Sequence, residues 1–437
     1  MDLRKLMKES GIVGAGGAGF PSYAKLADGA DTLVVNGAEC EPLLYTDYVL
    51  MARELPLILV GIREVMDFCH IPRALLSVKE HTAERLSWHE GEELDTGIFV
   101  KVLPNVYPIG DEISLIYQAT GRIVRPGNLP ITAGVIVDNV ETMYNLARAV
   151  KLGERVWEKW LTVGGDVERH AVVRVPVGTR VQDILDALGI VVDPWESVID
   201  GGPSMGRLIN PQSAVVTKTT KAINVLPTET RAIEAKRINE EMAIARAETA
   251  CCQCTRCTDM CPRHLLGYPL EPHKMVRTAM GAAKIEPVLV LNATLCCGCG
   301  ICESLACSQG ISPKAVINGY KALLAKNKMK YIATEDVGVR EERDYRMIPS
   351  EKWASALGVR KYDRVPEYVG QMEFDRVEIP LGKIIGAPAV PVVSDGDYVQ
   401  RGDIVARYGE GLSVSICASI DGVVSVQRDS IRIDKKR

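Results

Sequence analysis

Two cysteine-rich stretches, CCQCTRCTDMCP at residues 251–262 and CCGCGICESLAC at residues 296–307, decide the fold of the central part of this 437-residue chain. In each stretch, three cysteines are separated by two residues and a fourth follows after three or four more. Three thiolates at this spacing wrap one iron–sulfur cube, while the fourth reaches the neighbouring cube. The stretches therefore predict a helical, ferredoxin-like domain with two 4Fe-4S clusters and a protein that moves electrons.

The predicted cluster ligands are Cys251, Cys254, Cys257, Cys261, Cys296, Cys299, Cys302 and Cys307. The crossing rule gives one cluster the first three ligands of the first stretch plus Cys307, and the other cluster the first three of the second stretch plus Cys261. The second stretch has an extra residue before Cys307 and no following proline, so the sequence leaves open which cluster each fourth cysteine ligates. Cys252 and Cys297 break the spacing, and we interpret them as spare thiols.

Other uses of these cysteines fit the spacing less well. Structural zinc sites usually pair their cysteines in twos across a longer gap. Disulfides are rare in a reducing cytosol, where bunched cysteines are typical of metal sites. His264 and His273 are expected to be surface or packing residues, because cysteine already supplies every cluster ligand. Cys40, Cys69 and Cys417 lie in apolar surroundings and are interpreted as small buried residues.

Length and composition favour a soluble, cytoplasmic protein of several domains. The best apolar run, Leu55 to Ile62, is too short for a membrane span. The net charge of -4 and the scattered Lys and Arg residues argue against nucleic-acid binding. Met1 to Ser10 lacks the apolar core of a secretion signal and is left open as an address or a docking helix.

A glycine-rich segment, GIVGAGGAGF at residues 11–20, opens the chain. Such a backbone can approach a phosphate or a flat ring closely. The strand-like Leu33 to Val35 then leads into NGAECEP at residues 36–42, which places polar groups at the carboxyl end of a strand, where open α/β sheets bind ligands. Two further polar loops, YPIGDE at residues 107–112 and DNVET at residues 138–142, complete a predicted ligand-binding α/β domain.

The order of these four motifs resembles the flavin-binding fold of the complex I flavoprotein subunit and the Rnf complex C subunit. Within that superfamily, the chain is most similar to the PduS-type cobalamin reductases of bacterial microcompartments, because this fold is joined to two ferredoxin motifs and a C-terminal lipoyl-like barrel. The resemblance implies FMN and NADH as cofactors. It departs from the complex I pattern at Ala15, where those relatives carry an arginine.

The resemblance also implies the site residues. Glu39 and Glu112 are the catalytic candidates. The candidate cofactor-binding residues are Gly14, Gly16, Gly17, Gly19, Phe20, Lys25, Asn36, Glu41, Tyr107, Gly110, Asp111 and Asn139. Among these, Phe20, Glu39, Glu41 and Glu112 would lie nearer the nicotinamide nucleotide, and the others nearer the flavin.

The expected architecture is α/β and multidomain. A Rossmann-like FMN/NADH-binding domain spans residues 1–154, a β-grasp, SLBB-like module 155–227, the helical two-cluster domain 228–332, a charged, structure-poor linker 333–375, and a barrel-sandwich domain 376–437. A long polar helix is predicted over residues 228–250 and another helix over Glu271 to Ala283. The GGPSMG turn at residues 201–206 is interpreted as structural, and the tip of the barrel, Ala418 to Gly422, has no lysine for a swinging cofactor.

These parts predict an NADH-dependent oxidoreductase that converts a two-electron donor into single electrons. The resemblance implies cobalamin as the acceptor, a cobalamin adenosyltransferase and microcompartment shell proteins as possible partners, and a location in a bacterial microcompartment. Two alternatives stay open: an Rnf-like ferredoxin:NAD oxidoreductase component, and an electron-transfer scaffold without flavin.

Overall fold

The computed structural model of the protein describes residues 2–281, 287–331 and 336–436. Within these ranges the chain forms five β-sheets with helices packed around and between them. None of the described helices combines the length and the apolar composition needed to cross a membrane.

The first sheet is mostly parallel and has the strand order β3-β4-β2-β1-β6. Its strands are β1 (Thr32–Asn36), β2 (Arg73–Lys79), β3 (Glu93–Asp95), β4 (Ile98–Leu103) and β6 (Val135–Asn139), while β5 (Val106–Tyr107) lies outside it. The central strand β1 is buried on both faces, which explains its continuous apolar run. Parallel pairing sets Asn36, the last residue of β1, beside Asn139, the last residue of β6.

Five helices belong to this part of the chain: α1 (Leu3–Glu9), α2 (Thr46–Cys69), α3 (Glu80–Leu86), α4 (Glu112–Thr120) and α5 (Val140–Leu152). Leu3 and Met7 of α1 are buried in the main core. The apolar segment Leu55 to Ile62 lies within α2, which packs along α5. This core therefore joins the N-terminal segment to the sheet.

Gly61 is where α2 and α5 approach most closely. A Cβ added there would lie 2.0 Å from the carbonyl oxygen of Met143 in α5. Because the obstacle is backbone, the two helices must move apart to admit a methyl group. We expect Gly61→Ala to lower the free energy of unfolding by about 1–3 kcal/mol, measured by urea denaturation. Gly338→Ala is the control, since no described atom lies within 4 Å of its added Cβ; equal stabilities of the two variants would contradict the close packing.

The second sheet is mixed and has the order β10-β9-β11-β7-β8-β13. Its strands are β7 (Glu158–Gly165), β8 (Ala171–Pro176), β9 (Glu196–Asp200), β10 (Arg207–Ile209), β11 (Ala222–Pro227) and β13 (Glu367–Gln371). Helix α6 (Val181–Ala187) follows β8, so the predicted succession of strand, turn and helix is confirmed.

The cysteine-rich part is helical. Its helices are α7 (Arg231–Arg237), α8 (Glu240–Ala250), α9 (Arg256–Asp259), α10 (Pro262–Leu265), α11 (Pro272–Ala279), α12 (Pro287–Leu291) and α13 (Pro313–Lys326). The prediction of one long helix over residues 228–250 is wrong. The Asn239 side chain accepts a hydrogen bond from the Met242 N–H at 2.9 Å and starts α8 as its N-cap. The helix predicted over Glu271 to Ala283 is observed as α11, and residues 282 and 283 lie outside the described residues.

The predicted structure-poor linker over residues 333–375 is also wrong for its described part, residues 336–375. It contains β12 (Ile348–Pro349), which pairs with β5, the helix α14 (Ser350–Ala356), and β13 of the second sheet. Trp353 of α14 is fully buried and stacks on Tyr107, with ring centroids 4.6 Å apart. The many charged residues of the segment conceal a few apolar anchors, and these anchors fix it across the domains.

The C-terminal barrel consists of two small sheets with the orders β14-β20-β19-β16 and β15-β17-β18. Its strands are β14 (Arg376–Pro380), β15 (Val390–Pro391), β16 (Tyr398–Val399), β17 (Ile404–Arg407), β18 (Ile416–Cys417), β19 (Gly422–Val426) and β20 (Ser430–Asp434). Single turns of 3-10 helix occur at Ser22–Lys25, Pro130–Ala133, Asn292–Leu295, Asp344–Arg346 and Arg360–Tyr362. The barrel has its own apolar core, which also includes Val177 of the second domain.

Candidate flavin site and cluster cavities

The glycine-rich segment forms a tight loop, residues 13–21, which we call the glycine loop. Val13 and Pro21 pair at its base. Across the loop, the Gly14 N–H donates to the Phe20 carbonyl at 2.8 Å, and the Gly19 N–H donates to the Gly14 carbonyl at 3.2 Å. Gly16 and Gly17 are exposed at its tip, and Gly17 has a φ of 116° that favours glycine. The tip therefore offers bare backbone to a ligand.

The glycine loop faces the carboxyl edge of the first sheet. A Cβ added to Gly16 would lie 3.6 Å from the Asn139 side chain. Asn139 is the N-cap of α5 and donates through Nδ2 to the carbonyl of Asn36 at 3.1 Å. The Asn36 amide in turn donates to the carbonyl of Gly110 at 3.0 Å. The structure thus brings the glycine loop, Asn36, Gly110 and Asn139 together at the start of a helix, where anions are stabilised.

Lys25 and Glu112 flank the same edge. The Lys25 ammonium donates to the carbonyl of Val137 in β6 at 2.8 Å and lies 3.5 Å from a Glu112 carboxylate oxygen. Both side chains are partly exposed. These residues fit the needs of FMN: open backbone, amide groups and a lysine around one edge.

Glu39 is turned away from this edge, toward the start of α2. Its carboxylate accepts hydrogen bonds from the N–H groups of Asp47 at 2.7 Å and Tyr48 at 3.0 Å. Burial and the nearby Asp47 carboxylate raise the pKa of Glu39 to about 7, against the opposing effect of Lys221. A carboxyl group with such a pKa is suited to exchanging protons near neutral pH.

Glu41, Tyr107 and Asp111 also have partners away from the glycine loop. The Glu41 carboxylate accepts from the N–H groups of Ser204 at 2.7 Å and Met205 at 3.0 Å, in the GGPSMG turn that we interpreted as structural. Asp111 caps α4 and forms a salt bridge of 2.7 Å with Arg263, two residues after Cys261. The Tyr107 hydroxyl donates to the carbonyl of Cys299 at 2.7 Å. These three side chains connect the flavin domain to its neighbours.

A buried set of charges lies beneath the glycine loop and was not predicted from any sequence pattern. It is formed by Asp47, Glu141, Lys159 and Lys221, which we call the buried ion cluster. Lys221 forms ion pairs with Asp47 and with Glu141, the latter at 3.1 Å. Lys159 lies 2.5 Å from Glu141 and also donates to the carbonyl of Ala15 in the glycine loop at 3.1 Å. The lysines come from the second domain and the acids from the first, so only the folded pairing of domains brings them together.

The cysteines line two separate cavities. The inner cavity is bordered by Cys261, Cys296, Cys297, Cys299 and Cys302. The outer cavity is bordered by Cys251, Cys252, Cys254, Cys257 and Cys307. Among the described residues, no three His, Cys, Asp or Glu side chains converge on a site for a single metal ion. Four cysteines at ferredoxin spacing around each cavity are the donor set of a 4Fe-4S cluster.

The two cysteine stretches have matching backbones. Positive φ angles occur two and four residues after the first cysteine of each, at Gln253 and Thr255 in one and at Gly298 and Gly300 in the other. Such turns direct successive N–H groups into a concavity that binds anions. The repetition indicates that both stretches wrap the same kind of anionic group.

A π-helical turn over Cys302–Ala306 explains the extra residue of the second stretch. The Cys307 N–H donates to the carbonyl of Cys302, five residues earlier, at 3.2 Å. A π-turn accommodates one more residue than an α-turn. Cys307 consequently borders the outer cavity with the first stretch, and Cys261 borders the inner cavity with the second, as the crossing rule assigns them.

The inner cavity lies against the flavin domain, and the Tyr107 hydroxyl is the polar link between them. We expect Tyr107→Phe to lower the free energy of unfolding by about 1–2 kcal/mol, because it leaves the buried Cys299 carbonyl without this donor while keeping the stack on Trp353. Urea denaturation followed by cluster absorbance measures this. Tyr345→Phe, at a side chain that is 92% exposed, is the control; an equal midpoint for both variants would contradict the role of the hydroxyl.

Comparison with known proteins agrees with this geometry. Three family models match: the Nuo51 FMN-binding domain over residues 7–148, a 4Fe-4S dicluster domain over residues 250–312, and the RnfC barrel sandwich hybrid domain over residues 367–434. The chain therefore combines an FMN-binding domain, a 4Fe-4S dicluster domain and a barrel sandwich in one α/β protein.

Full-length relatives share this combination. The chain is 38% identical to the cobalamin reductase PduS of Citrobacter freundii over 428 residues, covering 97% of this chain and 94% of the relative. It is likewise 38% identical to the cobalamin reductase PduS of Salmonella typhimurium, with the same coverage. The RnfC-type component of the Na(+)-translocating ferredoxin:NAD(+) oxidoreductase complex of Acetobacterium woodii is 31% identical over 60% of this chain and 58% of that component. The chain belongs to the family of the PduS cobalamin reductases.

Proposed function

We propose that the protein is an NADH-dependent cobalamin reductase that passes electrons through FMN and two 4Fe-4S clusters to a corrinoid acceptor. The observation that carries this proposal is the contact between the two halves: Tyr107, from the motif shared with flavin proteins, donates directly to Cys299 of the inner cavity. When bound, FMN takes a pair of electrons from a nicotinamide and releases them singly, which suits clusters that accept one electron each.

The residues at the sheet edge would hold the flavin. The exposed backbone of the glycine loop, Lys25 and the start of α5 stabilise its phosphate, while the amides of Asn36 and Asn139 fix its polar rim. Phe20 and Glu112 stand beside this edge and are proposed to face the dinucleotide. Glu39 is the proposed proton-exchanging group. Glu41, Tyr107 and Asp111 act as positioning residues through their neighbours.

The cluster ligands are the eight cysteines at ferredoxin spacing, divided between the inner and outer cavities. Arg263 and Lys314 border the inner cavity and place positive charge beside its anionic cluster. Cys252 and Cys254 are exposed, whereas Cys261, Cys299 and Cys302 are buried. The inner site therefore serves the flavin domain, and the acceptor approaches the outer site.

The acceptor is proposed to be oxidised cobalamin, reduced toward the state that an adenosyltransferase uses. An adenosyltransferase and microcompartment shell proteins are the proposed partners, and a microcompartment is the proposed location. We further propose that residues 155–227 form a β-grasp module of SLBB type next to a Rossmann-like flavin domain.

Anaerobic purification with FMN, iron and sulfide analysis tests the proposal. We expect near-stoichiometric FMN, about eight irons per chain, and bleaching of the visible spectrum on addition of NADH. Clusters without flavin, or a spectrum that NADH leaves unchanged, would overturn the dehydrogenase and leave a relay fed by another protein.

A further inference from the structure

The C-terminal barrel touches the glycine loop. The Ile385 N–H donates to the carbonyl of Gly19 at 3.3 Å. The Cα of Ile384 lies 3.9 Å from the position of a Cβ added to Gly19. Both isoleucines belong to residues 382–388, between β14 and β15, which we call the barrel loop. The barrel loop is therefore a wall of the groove at the glycine loop.

Several contacts hold the barrel in this position. The Tyr23 hydroxyl lies 3.3 Å from both the Gly411 carbonyl and the Ser413 N–H, donating to the first and accepting from the second. The Ser415 N–H donates to the carbonyl of Lys8 at 3.0 Å, and the Lys8 ammonium lies 4.0 Å from the ring centre of Tyr408. The barrel loop thus has a fixed place beside the proposed flavin site.

The barrel loop carries one cation, Lys383, whose side chain is exposed. The other lysines near the glycine loop are occupied: Lys25 by Val137 and Glu112, and Lys218 by the carbonyls of Gly11 and Ser415. Over residues 2–281, 287–331 and 336–436, no ion pair involves Lys383. It is a lysine at the open side of the groove whose ammonium is free to meet an anion.

We propose that Lys383 binds a phosphate of the nicotinamide dinucleotide and that the barrel loop forms the outer wall of the dinucleotide site. This inference rests on the proposed function. A dinucleotide is longer than the flavin edge and carries two phosphate charges, so it must extend past the glycine loop toward the barrel. The barrel, which has no lysine at its tip for a carrier group, then has a binding role.

Titration of NAD+ into the anaerobic holoprotein by calorimetry tests this, together with KM for NADH in a ferricyanide assay. We expect Lys383→Gln to raise Kd and KM about 3- to 10-fold, Lys383→Glu to raise them further, and Lys383→Arg to restore most of the affinity. Lys436→Gln is the matched control, because it removes an exposed lysine of the same barrel beyond the far end of β20.

The outcomes separate the two claims. Wild-type Kd and KM in both Lys383→Gln and Lys383→Glu would overturn the inference while leaving the proposed function intact. Loss of FMN from these variants would also overturn it, because the lysine would then serve the flavin phosphate. A wild-type protein that neither binds NAD+ nor responds to NADH would overturn the proposed function itself.

Discussion

Lys221→Met is expected to lower the free energy of unfolding by about 3–5 kcal/mol, the largest effect on stability that we predict for one side chain. Lys221 is buried and pairs with two buried carboxylates, Asp47 and Glu141. These acids raise the pKa of Lys221 above its usual value despite burial, so the ammonium is charged in the folded protein. Removing it leaves two carboxylates close together with Lys159 as the remaining cation.

The same substitution should loosen the flavin site, because Asp47 also accepts from the Asn139 amide at 2.8 Å. Denaturation with urea measures the stability, and FMN content after gel filtration measures the site. Arg180→Met is the control: its partner Asp183 is on the surface, and exposed pairs contribute about 0–1 kcal/mol. A Lys221→Met protein as stable as this control, with full flavin, would refute the importance of the buried ion cluster.

Cys299→Ser is expected to remove the inner cluster and to stop electron transfer to the acceptor while NADH still bleaches the flavin. Iron should fall from about eight to about four per chain, because one of two cubes loses a thiolate ligand. Cys254→Ser should give the same iron loss at the outer site. In that variant the inner cluster should still be reduced by NADH, since it lies between the flavin domain and the outer cavity.

Cys297→Ser and Cys252→Ser are matched controls, since both cysteines border the cavities without fitting the ligand spacing. Iron analysis and low-temperature electron paramagnetic resonance after NADH addition distinguish the variants. Full iron and wild-type signals in Cys299→Ser, or loss of a cluster in Cys297→Ser, would show that spacing misassigns the ligands.

Local sequence was sufficient where neighbouring residues determine the structure. Cysteine spacing predicted both cavities, and the apolar run of β1 predicted the strand that ends at Asn36. The parallel register that sets Asn36 beside Asn139 follows from the fold class. The extra residue before Cys307 was visible in the sequence, but the π-turn that absorbs it was not.

Long-range contacts could not be predicted in this way. Lys159 and Lys221 are lysines in or beside strands, a pattern typical of solvated faces, and they are buried only because acids of another domain face them. Glu41 is 163 residues from Ser204, whose N–H it accepts. Trp353 lies in a charged segment, and only its stack on Tyr107 explains why that segment is ordered.

Anaerobic mixing of the holoprotein with NADH and hydroxocobalamin tests the central claim most directly, with cob(II)alamin followed by its absorbance. Our account predicts about two cob(II)alamin per NADH oxidised, because a hydride carries two electrons and each cobalt takes one. It also predicts that the reaction fails in Cys254→Ser. Bleaching by NADH with no cob(II)alamin, and rapid reduction of ferredoxin instead, would contradict it and point to an Rnf-like role.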